Sequence, residues 1–66
     1  MKIFINNTEF EFPEGTNLQE ALDMQGLGGF GYAVAIGTKV IRRDNRPATS
    51  LSEGDRITVI KAVCGG

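Results

Sequence analysis

The 66-residue sequence predicts an α+β domain, a mixed sheet of about five strands with one main helix packed on one face. Three observations predict it. Short β-rich runs occur near both ends and in the middle of the chain, a single capped segment with helical apolar spacing lies between them, and Gly, Pro, Asn or Asp marks the junctions.

Ile3-Phe4-Ile5 is β-rich and is followed by Asn6-Asn7, residues that tolerate positive φ, and then by the alternation Glu9-Phe10-Glu11-Phe12. This pattern predicts a hairpin. Pro13-Glu14-Gly15 breaks the second strand, and Thr16-Asn17-Leu18-Gln19 fits a capping box in which the Thr16 hydroxyl accepts from the Gln19 N–H and the Gln19 side chain reaches back. Leu18, Ala21, Leu22 and Gln25 then share one face, Glu20 suits the positive end of the helix dipole, and Gly26 offers a left-handed cap. The helix should run about two to three turns.

Tyr32-Ala33-Val34-Ala35-Ile36 is a near-continuous apolar run, as expected of a strand covered on both faces. Gly37-Thr38 turns the chain into Lys39-Val40-Ile41. Arg42 to Ser52 is polar, contains Pro47 and reads as a long loop with one short turn, closed by the turn signal Glu53-Gly54-Asp55. The last strand is expected from Arg56 to Val63, with Ile57, Val59 and Val63 on one face and Ile60 and Ala62 on the other. The order is ββαββ plus a final strand, with no internal repeat or linker.

Composition narrows the function. A chain of this length buries only about 60% of its unfolded surface, too little for a deep active-site cavity. Seven Lys/Arg against eight Asp/Glu leave a formal charge of -1, so no broad positive field favours nucleic acid or an anionic membrane, and proteins are the expected partners. One Cys and no His remove an internal disulfide, common zinc sites and nucleophile-base dyads, so neither catalysis by the chain alone nor a metal site is expected. The single thiol suits a reducing cytoplasm. The apolar start is too short for a signal peptide and no stretch reaches membrane-span length, so the chain reads as the mature protein.

Two motifs have competing readings. Gly26-Leu27-Gly28-Gly29-Phe30-Gly31 satisfies G-x-G-x-x-G, but the dinucleotide motif leaves a strand and opens a helix, whereas here the run follows a helix and precedes a strand. It reads as a connecting loop, with no cofactor site. Arg42, Arg43 and Arg46 form a basic cluster, either a solvated loop or a patch that meets an acidic partner surface.

The chain ends in Val63-Cys64-Gly65-Gly66. An extended tail threading a narrow channel benefits from having no Cβ at its last two positions, and glycine leaves the terminal carboxylate sterically open. That carboxylate is ionised at neutral pH and is a poor electrophile, so chemistry there requires prior activation, most simply by ATP-dependent adenylation.

The strand order, the Glu53-Gly54-Asp55 turn before the last strand and the terminal Gly65-Gly66 together resemble the ubiquitin-like β-grasp sulfur carriers of the ThiS/MoaD family, most closely the thiamine-biosynthesis branch. The resemblance spans essentially the whole chain, through Val34-Ala35-Ile36, Gly37, Val40-Ile41, Arg43 and Ile57-Thr58-Val59-Ile60, and Gly-Gly is its specific part. The family often shows Val-Pro-Arg where this chain has Ile41-Arg42-Arg43, an aromatic, commonly Trp, at the position of Arg46, and a residue other than Cys before the glycines. Cys64 is either a small strand-end residue or a thiol that intercepts the activated C-terminus.

The resemblance implies a protein co-substrate with no bound cofactor, not an enzyme. An E1-like adenylyltransferase similar to ThiF would use ATP to adenylate the Gly66 carboxylate, a cysteine desulfurase or related donor would supply sulfur to leave a thiocarboxylate, and a thiazole synthase similar to ThiG would accept that sulfur. Val63, Cys64 and Gly65 would lie along the threading tail, with an exposed part of the sheet as the docking surface. A MoaD-like carrier for molybdopterin or another sulfur pathway, a ubiquitin-like modifier, and a noncatalytic β-grasp binding module are the alternatives.

Overall fold

A computed structural model describes residues 1–29 and 31–61. Asn6 and Asn7 take φ of 51° and 69°, both positive as a two-residue type I′ turn requires, so β1 (Lys2–Ile5) folds back onto β2 (Thr8–Glu11) with Ile3 opposite Phe10. The turn chemistry of two consecutive asparagines thus sets the hairpin register. Phe12 falls just beyond β2 and is buried, and its N–H donates to the Met1 carbonyl.

Helix α1 (Leu18–Met24) begins one residue later than the sequence pattern predicts. The cap is Asn17, whose Oδ1 accepts from the Glu20 N–H at 2.8 Å while Glu20 Oε1 accepts from the Asn17 N–H at 3.0 Å. Thr16 does not fill that role: its hydroxyl donates to the Pro13 carbonyl at 2.7 Å in the preceding turn, and the Gln19 N–H it was expected to accept from donates to the Arg46 carbonyl at 3.3 Å. Two further N–H groups at the helix start, on Leu18 and Gln19, donate to the carbonyls of Thr49 and Arg46. The 42–52 loop therefore satisfies donors that no helical turn can reach. At the other end Gly26 takes φ of 73°, the expected left-handed cap.

After the glycine-rich loop come β3 (Tyr32–Ile36), β4 (Lys39–Ile41), a short 3-10 turn (Arg43–Asn45) and β5 (Arg56–Lys61). The sheet order is β2-β1-β5-β3-β4; β1 and β5 run parallel and every other neighbouring pair is antiparallel. This is the β-grasp order. Leu18, Ala21 and Leu22 of α1 pack on the concave side against Ile3, Ile5, Val34, Ile57 and Val59, all in the core. With a single helix, only one face of the sheet is covered.

That geometry corrects the expectation that β3 is covered on both sides. Val34 is buried, but Ala33 is exposed, and β3 is apolar on its open face because its residues there are alanines. In β5 the alternation holds, with Ile57 and Val59 inward and Ile60 outward. The expected continuation to Val63 lies outside the described residues.

Candidate functional site

The open face of the sheet divides into two halves of different character. Toward β1 and β2 its apolar surface is screened: the Arg56 guanidinium lies 4.8 Å from the centre of the Phe4 ring, and Lys2 pairs with Glu9 at 4.0 Å. Toward β4 no such cover exists. Val40 is 71% exposed and Ile60 61% exposed, and the register sets Ala35 opposite Val40 and Thr58, and Ala33 opposite Ile60. The two alanines lie low between the taller side chains, leaving a shallow apolar dish lined by Ala33, Ala35, Val40, Thr58 and Ile60.

The strand that leads to the C-terminus is β5, and its two edges are held differently. On the β1 side, Phe4 and Asn6 N–H groups donate to the carbonyls of Asp55 and Ile57. Where β1 stops, the Asn6 side chain continues the ladder, its Nδ2 donating to the Val59 carbonyl at 3.1 Å and its Oδ1 accepting from the Val59 N–H at 2.8 Å. On the β3 side the register runs further, from Ile36 opposite Ile57 to Tyr32 opposite Lys61.

Of the basic cluster, Arg42 and Arg43 are exposed, and Arg42 borders a hollow between β4 and the 3-10 turn that also includes Lys39, Val40 and Asn45. Arg46 departs from the surface-patch reading. It is 3% exposed, and its Nη2 donates to the Tyr32 carbonyl at 2.8 Å. The 3-10 turn swings the chain back under β3, which carries position 46 inside while positions 42 and 43 stay out. Burial pushes the Arg46 guanidinium below its ordinary pKa, and repulsion from Arg43 adds to the effect. A basic residue in a polar loop gave no sign of this burial.

The glycine-rich loop connects α1 to β3 as expected. Gln19 Nε2 donates to Asp23 Oδ1 at 2.9 Å and reaches the Gly28 carbonyl at 3.4 Å. A Cβ at Gly28 would collide with Asp23 Oδ1, so a side chain there would displace this contact. Val63, Cys64, Gly65 and Gly66 lie outside the described residues. Among the described residues no helix is long and apolar enough to cross a membrane. The apolar half of the open face was only partly legible: Ile60 was placed on the face opposite Ile57 and Val59, but nothing local marked Val40 as its neighbour across β3.

The ThiS family model matches residues 2–66. The fold is similar to the crystal structure of thiamine biosynthesis protein ThiS from Geobacter metallireducens, at TM-score 0.84 and 22% identity, with all of both chains covered. It is also similar to the solution structure of a thiamine biosynthesis protein from the same organism, at TM-score 0.75 and 22% identity, covering 100% of this chain and 88% of that one. These likenesses bear on the fold, a ubiquitin-like β-grasp. No curated protein matches the sequence.

Proposed function

The chain belongs to the ThiS family, and from that premise we propose that it is a sulfur carrier of thiamine biosynthesis, a protein co-substrate whose covalent chemistry is performed by partner enzymes. The observation that carries the reading is that the family match extends through the terminal Gly65-Gly66. An adenylyltransferase of the ThiF type attaches AMP from ATP to the Gly66 carboxylate and releases pyrophosphate. The acyl-adenylate is the electrophile that the free carboxylate is not. The persulfide of a cysteine desulfurase or related donor attacks the acyl carbon and displaces AMP to give an acyl disulfide, a thiol reduces that disulfide to free the thiocarboxylate, and the thiocarboxylate passes its sulfur to a thiazole synthase of the ThiG type. Gly65 and Gly66, without Cβ atoms, allow the tail to pass through a narrow channel, with Val63 and Cys64 behind them.

The dish around Val40 and Ile60 supports this reading, because a carrier that presents only its terminus must be gripped elsewhere. Apolar contact on a rigid sheet provides grip without a cavity. Arg42, in the neighbouring hollow that shares Val40 with the dish, supplies a charge for an acidic partner surface.

Intact-protein mass spectrometry tests the proposal. The chain is incubated with its cognate adenylyltransferase, ATP and a sulfur donor, beside a chain lacking Gly66. A mass gain equal to exchanging one oxygen for sulfur, confined to the full chain, is expected. Absence of that gain with a demonstrably active enzyme overturns the reading in favour of a binding module.

A further inference from the structure

Strand β4 ends too early to complete the sheet. Its register with β3 pairs Ile36 with Lys39 and Val34 with Ile41, and one more step would bring position 43 opposite Tyr32. Arg43 instead opens the 3-10 turn. The Tyr32 carbonyl is then taken up by Arg46 Nη2 at 2.8 Å, so a side chain stands where a strand would have been. The same residue is tied to two other elements through its backbone: its carbonyl accepts from the Gln19 N–H at the start of α1 and from the Thr49 N–H, and its own N–H donates to the Arg43 carbonyl.

This bond sits at a consequential place. Tyr32 is opposite Lys61, the last described residue of β5, from which residues 62–66 continue. On the other edge, the Asn6 side chain reaches Val59, and among the described residues the β1 pairing with β5 ends at Ile5 opposite Ile57. Support for the end of β5 therefore comes from β3, and the support for that end of β3 comes from Arg46.

Packing does not account for an arginine here. Among the described residues its Nε and Nη1 are buried and meet no acceptor, and no carboxylate pairs with it. A hydrophobic residue of similar volume at a buried cation's position is commonly neutral or stabilising. What arginine supplies over such a residue is a donor long enough to reach the Tyr32 carbonyl from the loop.

Building on the carrier reading above, we propose that Arg46 is a positioning residue that clamps the Tyr32 end of β3 and so holds the end of β5 in register for presentation of the C-terminal tail to the adenylating enzyme. Arg46 acts through the Tyr32 carbonyl. When the clamp is absent, the competent arrangement is less populated, which raises the apparent KM for the carrier and leaves the rate from the bound state unchanged.

The test compares the natural chain with Arg46→Met, which keeps the bulk and loses the donor, and Arg46→Lys, which keeps a donor. Amide hydrogen exchange is read at Ala33 and Ile60, with Leu22 of α1 as the report on global unfolding, and adenylation kinetics are measured with the cognate enzyme. In Arg46→Met, exchange at Ala33 and Ile60 should accelerate about tenfold relative to Leu22, and KM should rise at least about threefold with kcat held. Arg46→Lys should recover most of both. Unchanged exchange at Ala33 and Ile60, a fall in kcat without a change in KM, or a lysine variant as impaired as methionine overturns the proposal. If Arg46→Met fails to fold, Arg46→Leu, which also loses the donor, decides by the same two readouts: faster exchange at Ala33 and Ile60 together with a raised KM supports the clamp, and no change in either overturns it. A natural chain that its cognate enzyme does not adenylate overturns the carrier reading instead, and the exchange data still decide whether the clamp exists.

Discussion

Two side chains in this protein continue the sheet past the end of a strand, and they do so with different quality. Where β1 gives out, Asn6 offers Val59 one donor and one acceptor, a neutral copy of the peptide group it replaces, and both bonds form. Where β4 gives out, Arg46 offers Tyr32 one donor and brings a buried charge with two nitrogens left over. A carboxamide matches a ladder because it has the same pair of functions as the backbone; a guanidinium has only donors. The difference teaches that the first site is built for stability and the second is not explained by stability.

The largest effect should come from breaking the better-made site. Asn6→Ala leaves the Val59 N–H and carbonyl without partners and puts alanine at φ of 51°, so denaturant unfolding should show a loss of about 2–4 kcal/mol. A loss below about 1 kcal/mol would mean that water replaces both bonds and the contrast with Arg46 is empty.

Asn6→Asp sharpens the same point through pH. The acid keeps an acceptor for the Val59 N–H, but as a carboxylate it faces the Val59 carbonyl, where only the protonated form can donate. Its folded pKa should therefore rise above the unfolded value of about 3.9. The native state then binds more protons than the unfolded state between those two values, so the variant's stability relative to the natural chain should fall as pH rises through that window. At pH 7 the deficit should be about 1–3 kcal/mol, and it should shrink in acid melts. A deficit independent of pH would show that the second bond contributes nothing.

Arg46→Met should matter less to global stability. One hydrogen bond is lost and two buried unpaired donors are removed, and the opposing terms should leave the unfolding free energy within about 1 kcal/mol of the natural chain. A loss above about 3 kcal/mol would make Arg46 a structural residue of the same kind as Asn6.

Val40→Glu sits away from both strand ends and serves as the baseline. With Val40 71% exposed, stability should change by no more than about 0.5 kcal/mol. Capture by the adenylyltransferase, read by titration, should weaken at least about tenfold, since an ionised side chain would have to be desolvated in the dish. Undiminished capture would move the docking surface off this face.

Much of the fold could be read along the chain. Asn6-Asn7 between two β-rich runs led to the hairpin, Gly26 to the helix end, and Glu53-Gly54-Asp55 to the turn that launches β5, because each depends on a φ preference carried by the residue itself. The readings that failed were decided between neighbours. Thr16 looked like the cap and was displaced by Asn17 because the Gln19 N–H that Thr16 would have accepted from is taken by the Arg46 carbonyl of a distant loop. Tyr32–Ile36 looked covered on both faces or close to it because a run of five apolar residues does not show which of them face the helix. Arg46 looked like surface because its chemistry is that of a surface residue.

The sequence by itself determined the order of elements, the hairpin, the Gly26 cap at the helix end, the inward faces of β5, and the terminal Gly-Gly. These follow from local backbone preferences and from a two-residue alternation that needs no partner to be seen. Only the tertiary structure decided which apolar residues share the open face, bringing Val40 across Ala35 toward Ile60, and which polar residues serve as missing strand. Strand pairing joins positions far apart in the chain, and whether a side chain at a strand end meets water, a carbonyl or a partner protein depends on where the neighbouring strand stops.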